Sequence, residues 1–374
     1  MNALRPREML KIAQVAPLYE SVPPKLYGGT ERVVSNLTEA LVEAGHDVTL
    51  FASGDSVTAA RLIPCCPQAL RLNHYECQDQ LAHHYVMLDE VLQRADQFDI
   101  IHFHVDYMHF PLSRLSGLVH VSTLHGRLDS PDLVPLYQKY KNMPLTSISL
   151  NQRTPLPWVN WIGNVYHGLP QDLLPLGDGR GKYLAFLGRI SPEKRVDRAI
   201  EIASRVNMPL KIAAKIDRAD RVYYEREIKH LLSAPNVEYV GEINEQQKGE
   251  FLGNAYAYLF PIDWPEPFGL TMIESMACGT PTIAFKRGSV PEIITNGVSG
   301  FVVNDVDEAV DAVRQAATFD RVACRAEFLK RFSASTMARE YVKLYKSIVG
   351  AKSAAPAETV PSGPNAEIDT LLTL

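Results

Sequence analysis

Residues 257–285 read AYLFPIDWPEPFGLTMIESMACGTPTIAF: two short apolar runs, AYLFPI from Ala257 and PTIAF from Pro281, flank a proline-rich loop and a helical stretch. Apolar run, loop, helix, apolar run is the pattern of parallel strands joined by a crossover helix. Upstream lie GKYLAFLGR from Gly181, LKIAAKI from Leu210 and VEYVGEI from Val237, and downstream GFVV from Gly300. The first half repeats the theme with KIAQVAP from Lys11, HDVTLFAS from His46, DIIHFH from Asp99, LVHVSTLH from Leu118, LTSISL from Leu145 and WVNWIGNVYHG from Trp158. The pattern predicts an α/β protein of two similar parallel-sheet domains, residues 1–168 and 182–334, with a Gly- and Pro-rich linker at 169–181. A helix over 335–350 places Met337, Tyr341, Leu344, Tyr345 and Ile348 on a wide apolar face that needs a partner surface. Residues 351–374 are expected to be a disordered tail, poor in bulky apolar side chains up to Asn365; the apolar end Ile368 to Leu374 could dock.

Composition narrows the function. The 374 residues carry 38 Lys plus Arg against 43 Asp plus Glu, a net charge of -5. With no long basic run to neutralise a phosphate backbone, nucleic acid is not an expected partner. Five cysteines without CxxC spacing fit a reducing cytoplasm. No run of residues approaches the length of a membrane span, which leaves only peripheral membrane contact.

Several segments carry chemistry. After the first strand, Tyr27-Gly28-Gly29-Thr30-Glu31 delivers a loop onto a helix N-terminus. Free N–H groups there suit phosphate oxygens, although a plain turn with a Thr30 cap reads equally well. Gly188-Arg189-Ile190-Ser191-Pro192-Glu193-Lys194 ends a strand with one cation and places another near the next helix start. A guanidinium fork and an ammonium point charge there suit a diphosphate. In the quoted stretch Glu266 and Glu274 stand eight residues apart, suited to sugar hydroxyls and a ribose diol. The amides of Phe268, Gly269, Leu270 and Thr271 open the helix between them. Asp305-Val306-Asp307 reads as a helix cap rather than a metal motif. His102, His104 and Asp106 lack a fourth ligand and fit a structural or acceptor-side role. Tyr223 and Tyr224 read as a solvated helical face with one packed ring.

Taken in order, these motifs resemble a retaining glycosyltransferase of family 4, the GT-B class of glycosyl transferases group 1. The E-x7-E pair falls on Glu266 and Glu274, the R-x4-K pair on Arg189 and Lys194, the glycine loop on Gly28 and Gly29, and the post-strand histidine on His125. The resemblance implies a GT-B fold whose two Rossmann-like domains face a cleft, with the final helix returning to the first domain. It implies a nucleotide-sugar donor held mainly by the second domain and a sugar, lipid or small-molecule acceptor held by the first. His125, Glu266, Arg189 and Lys194 would be catalytic. Base contacts would fall near Glu242 and Ile243. Retention, independence of metal ions and the absence of any cofactor follow from the same resemblance.

The chain departs from the family pattern at Pro261-Ile262, where Pro-Ser is usual, and at Lys215-Ile216-Asp217, where a Gly-rich turn is usual; Lys215 or Asp217 could supply a replacement contact. A UDP-sugar is preferred over a GDP-sugar. A sugar-nucleotide epimerase of the same fold, a phosphorylase, and a non-catalytic binder are the alternatives. The acceptor and the oligomeric state are open.

Overall fold

The computed structural model of the chain describes residues 9–25, 28–71 and 77–354. The first half surrounds seven parallel strands: β1 (Lys11–Val15), β2 (Asp47–Ser53), β3 (Arg61–Cys66), β4 (Ile100–Phe103), β5 (His120–Thr123), β6 (Leu145–Ser147) and β7 (Trp161–Asn164), ordered β3-β2-β1-β4-β5-β6-β7. The second half has six: β8 (Leu184–Arg189), β9 (Leu210–Lys215), β10 (Val237–Gly241), β11 (Ala257–Phe260), β12 (Thr282–Phe285) and β13 (Gly300–Val303), ordered β10-β9-β8-β11-β12-β13. Central strands such as β4, β11 and β12 are buried along their whole length, which is why they read as unbroken apolar runs. Each sheet reverses its strand order beside its first strand, between β1 and β4 and between β8 and β11. The crevice at the carboxyl ends of such a switch point is where open α/β sheets bind ligands.

Strand β3 is absent from the sequence expectation. It lies at the sheet edge, paired on one side only, and of its six residues only Cys66 is buried. Pro64 further weakens its strand signature. Tyr223 and Tyr224 also differ from expectation: both rings pack against the core of the second half. Asp305 caps its helix as expected, its side chain accepting from the Glu308 N–H.

The last helix runs Ala334–Ala354, so it starts one residue before the expected 335 and continues through 351–354, where a tail was expected to begin. The rest of that expected tail, with Ile368 to Leu374, lies outside the described residues. Met337, Ala338, Tyr341 and Tyr345 bury the helix against Ile12, Val33, Leu37 and Leu41 of the first half. The chain therefore crosses between halves twice, and the crossings pair: the Leu169 N–H donates to Phe332 O (2.9 Å) and the Ala334 N–H to Leu169 O (2.7 Å). Gly168 permits this approach, because a Cβ there would stand 2.5 Å from the Ser333 carbonyl oxygen. Among the described residues no helix is long and apolar enough to cross a membrane.

Candidate functional site

The loops at the carboxyl ends of both sheets enclose a cavity of about 760 Å³. Gly28, Gly29, His125, Arg189, Lys194, Ile243, Glu266, Phe268, Gly269, Leu270, Thr271 and Glu274 all line it, so the structure brings these sequence-proposed residues to one place, whereas Asp217 is not part of its lining.

The segment after β11 is shaped by close backbone approach. Gly288 lies against the Glu266 backbone, where a Cβ would come within 2.3 Å of Glu266 N, and the Ser289 N–H donates to Glu266 O at 2.9 Å. The Ser289 hydroxyl holds Phe268 O at 2.8 Å. Ile262, one of the departures from the family pattern, is fully buried core. So fixed, Glu266 pairs with the Lys194 ammonium and accepts from the Trp264 indole N–H at 3.1 Å. Lys194 also lies over the Trp264 and Phe260 rings, 5.3 and 5.4 Å from their centroids, an arrangement that stabilises a partly desolvated cation. Arg189, at the end of β8, pairs with Glu193 (3.0 Å) and Asp220 (3.3 Å). At the other departure, Lys215 also lines the cavity and lies 3.8 Å from Asp217.

Two helix N-termini open on the cavity, Gly29–Glu43 and Leu270–Ala277, and neither has a side-chain cap. A third helix N-terminus on the cavity, that of Glu245–Gly253, is capped by Asn244. First-turn amides without a capping acceptor are suited to anionic oxygens.

Glu274 is 1% exposed. Its Oε1 accepts from Lys248 at 2.7 Å, while Oε2 has no hydrogen-bond partner among the described residues. Lys248 also pairs with Glu245 (3.6 Å), and Glu245 with Arg32 of the opposite half at 2.7 Å. Burial works against the charged form of Lys248, but Glu274 and Glu245 outweigh it and raise its pKa. Lys248, Glu245 and Arg32 all line the cavity and were missed by the sequence reading. The one available signal was the capping box Asn244-x-x-Gln247, which marks a helix starting there.

On the first-half wall four imidazoles stack in series: His102 and His104 centroids are 3.9 Å apart, His104 and His125 5.2 Å, His125 and His167 5.2 Å. His167 then meets Phe268 of the second half at 4.7 Å. His104 Nδ1 lies 2.9 Å from His125 Nε2, and His104 Nε2 lies 2.7 Å from Gln14 Oε1. Burial lowers the pKa of His125 to about 3 and holds His102, His104 and His167 well below the ordinary histidine value. Burial favours the neutral form of all four rings, and His102, His104 and His125 are hydrogen-bonded; among the described residues no group of three His, Cys, Asp or Glu side chains is placed to hold a metal ion.

Comparison with known proteins places these features in a family. The model described as "Glycosyl transferases group 1" matches residues 176–327, and that described as "Glycosyltransferase Family 4" matches residues 27–167. An uncharacterized glycosyltransferase of Methanocaldococcus jannaschii is 24% identical over 398 residues, covering 90% of this chain and 98% of that protein. Among solved structures, sucrose-phosphate synthase from Thermosynechococcus elongatus superimposes with a TM-score of 0.73 at 19% identity, covering 91% of this chain and 100% of that one. The HepE protein of Anabaena, solved with UDP and glucose, gives a TM-score of 0.69 at 16% identity, covering 90% and 100%.

Proposed function

This chain belongs to the family 4-like, group 1 glycosyltransferases of GT-B fold, and from that premise we propose that it is a retaining enzyme moving a hexosyl group from a nucleoside-diphosphate sugar to a hydroxyl acceptor without a metal ion. The observation that carries this reading is the convergence of Arg189, Lys194, Glu266, Glu274 and two uncapped helix N-termini on one cavity between the two sheets. UDP is the favoured nucleotide, GDP the next; the structural neighbour solved with UDP and glucose supports that order.

In the proposed reaction the bond between the anomeric carbon and the β-phosphate oxygen breaks, and its electron pair leaves with the phosphate. Negative charge grows where Arg189, Lys194 and the amides at Gly29 and Thr271 stand. Fixed cations and dipoles in a partly water-excluded cleft meet such charge without reorganising during the reaction. The acceptor oxygen bonds to the anomeric carbon on the face the phosphate leaves, and its proton passes to a phosphate oxygen. Glu274 takes the ribose, and Glu266 and His125 take sugar hydroxyls.

Incubating the protein with UDP, GDP, ADP, dTDP and their sugars in a thermal-shift panel tests this. A ligand that binds only the folded state at about 100 times its Kd adds about 2.7 kcal/mol, so the true nucleotide should stand out by several degrees. Transfer that persists in EDTA supports metal independence, and an anomeric NMR signal matching that of the donor sugar supports retention. No shift with any nucleotide would remove the reading. Arg189→Ala should lower turnover more than it weakens acceptor binding, and an unchanged rate would remove Arg189 from its assigned role.

A further inference from the structure

The histidine at the cavity wall is the visible end of a longer buried chain. Gln14, fully buried in β1, stands between the buried Ala13 and Val15. Its Nε2 donates to the Tyr345 hydroxyl at 3.2 Å, and its Oε1 lies 2.7 Å from His104 Nε2. Both lengths fit N–H···O bonds. The reversed amide would demand an N–H···N contact of 2.7 Å and an O–H···O bond of 3.2 Å, the first too short and the second too long. The amide orientation is therefore fixed by distance.

From that point the protons follow by elimination. An amide oxygen only accepts, so the hydrogen between Gln14 and His104 belongs to His104 Nε2. A neutral imidazole carries one N–H, so His104 Nδ1 is bare and the hydrogen between the two rings, 2.9 Å apart, belongs to His125 Nε2. On the other branch Tyr345, already accepting from Gln14, gives its hydrogen to His102 Nδ1 at 2.7 Å. His102 Nε2 then donates to Thr123 at 2.7 Å, and Thr123 to Tyr341 at 2.8 Å. No bond in the chain is left without a hydrogen and none is given two. His125 Nδ1 remains, buried and with no hydrogen-bond partner among the described residues.

We propose that Gln14 and His104 are positioning residues for His125: anchored on Tyr345 of the returning helix, they fix its proton on Nε2 and leave its Nδ1 as an acceptor. The consequence for chemistry rests on the reading of the cavity as a nucleotide-sugar site. Nδ1, buried and unpartnered in this structure, is the ring atom left to accept from a sugar hydroxyl. The one proton of the ring is committed to His104 and not to the departing phosphate, which leaves that task to the acceptor hydroxyl.

The test is His-selective 15N labelling of the full chain, with ring nitrogens assigned through long-range couplings to the ring protons. The expected result in wild type is a protonated Nε2 and a bare Nδ1 in His102, His104 and His125; a proton on His125 Nδ1 overturns the proposal. Gln14→Leu should mix the tautomers of His104 and His125. It should also lower kcat about tenfold, the equivalent of one positioned hydrogen bond, with donor KM changed less than about threefold on the same scale. Unmoved nitrogen shifts with a wild-type kcat overturn the proposal as well. Tyr345→Phe removes the anchor but leaves an acceptor oxygen beside His104 Nε2, so it should disturb the His104 and His125 tautomers less than Gln14→Leu does; a purely structural role, which would make both variants alike, is distinguished. If Gln14→Leu does not fold, the wild-type spectrum and Tyr345→Phe still decide. A protein with the expected nitrogen signature and no transfer from any nucleotide sugar would sink the functional reading while leaving the positioning role standing.

Discussion

Glu274 and Lys248 show how the site is held at the scale of single residues. The Glu274 carboxylate is buried, with one oxygen on the Lys248 ammonium and the other without a partner among the described residues. Removing one member of a buried ion pair leaves an uncompensated charge and costs roughly 3–5 kcal/mol. Lys248→Met is therefore expected to lower folding stability by at least about 2 kcal/mol, since Glu245 loses a neighbour but keeps Arg32, and to weaken donor binding more than tenfold. Urea denaturation and calorimetric titration with the preferred nucleotide measure the two effects; a variant as stable as wild type would show that the pair contributes nothing. Glu274→Ala should weaken nucleotide binding without the stability loss, because it leaves an ammonium that can still pair with Glu245. Glu266, Glu274, Arg189 and Lys194 were legible in the sequence because fixed local spacing carries them. Lys248, Arg32 and Gln14 were not, since each acquires its role from a partner 26 to 331 residues away or on the opposite half. Gln14 did leave a trace, a polar side chain between the apolar Ala13 and Val15.

Elements set where those residues meet, and the returning helix is the decisive one. It brings Tyr341 and Tyr345 onto β1 and the histidine column, and it begins at the point where the two crossings of the chain pair through Leu169 and Ala334. The helix was legible from its period, because five large apolar side chains on one face have to be covered. The pairing of the crossings was not, for it depends on a glycine that leaves room for a carbonyl. Gly168→Ala would put a Cβ 2.5 Å from the Ser333 oxygen and 3.0 Å from Ala334 Cα. Both neighbours are backbone, so relief requires the crossings to separate, and overpacking of this kind costs roughly 1–3 kcal/mol. A lowered unfolding midpoint, together with lower donor affinity as the two halves lose their registration, is the expected outcome. A variant matching wild type in both would mean that the crossings carry no load. Strand β3 illustrates the opposite case: an edge strand half-exposed to solvent offers little pattern to read.

At the scale of the whole molecule, the alternation of apolar runs and helices was enough to show two sheets, but not how the halves face one another. That arrangement is held by contacts without sequence signatures: Arg32 on Glu245, and Glu292 accepting from the Leu150 and Asn151 N–H groups at 2.7 and 2.6 Å. The molecule as a whole also stores an unusual amount of neutral imidazole. Eight histidines, among them the entire column at the site, have their pKa values lowered, with burial the largest cause in each. In the unfolded chain each would take a proton near pH 6.5; in the folded chain each resists protonation, His125 down to about 3. The unfolded state thus binds more protons below that pH, so the stability these groups contribute is fully present above pH 6.5 and is lost as pH falls through the window from 6.5 toward the lowered folded values. Glu20, Glu31, Asp106 and Asp220 oppose this, because desolvation raises their folded pKa values and favours the folded state in acid, but they are four groups against eight. The urea midpoint is therefore expected to fall steadily from pH 7.5 to pH 5, well above the range where ordinary carboxylates titrate, and the fall should be shallower in His102→Gln or His109→Gln if those variants fold. A midpoint that stays flat or rises across that interval would mean that the buried imidazoles are charged, and the neutral hydrogen-bonded column at the cavity wall would have to be abandoned with them.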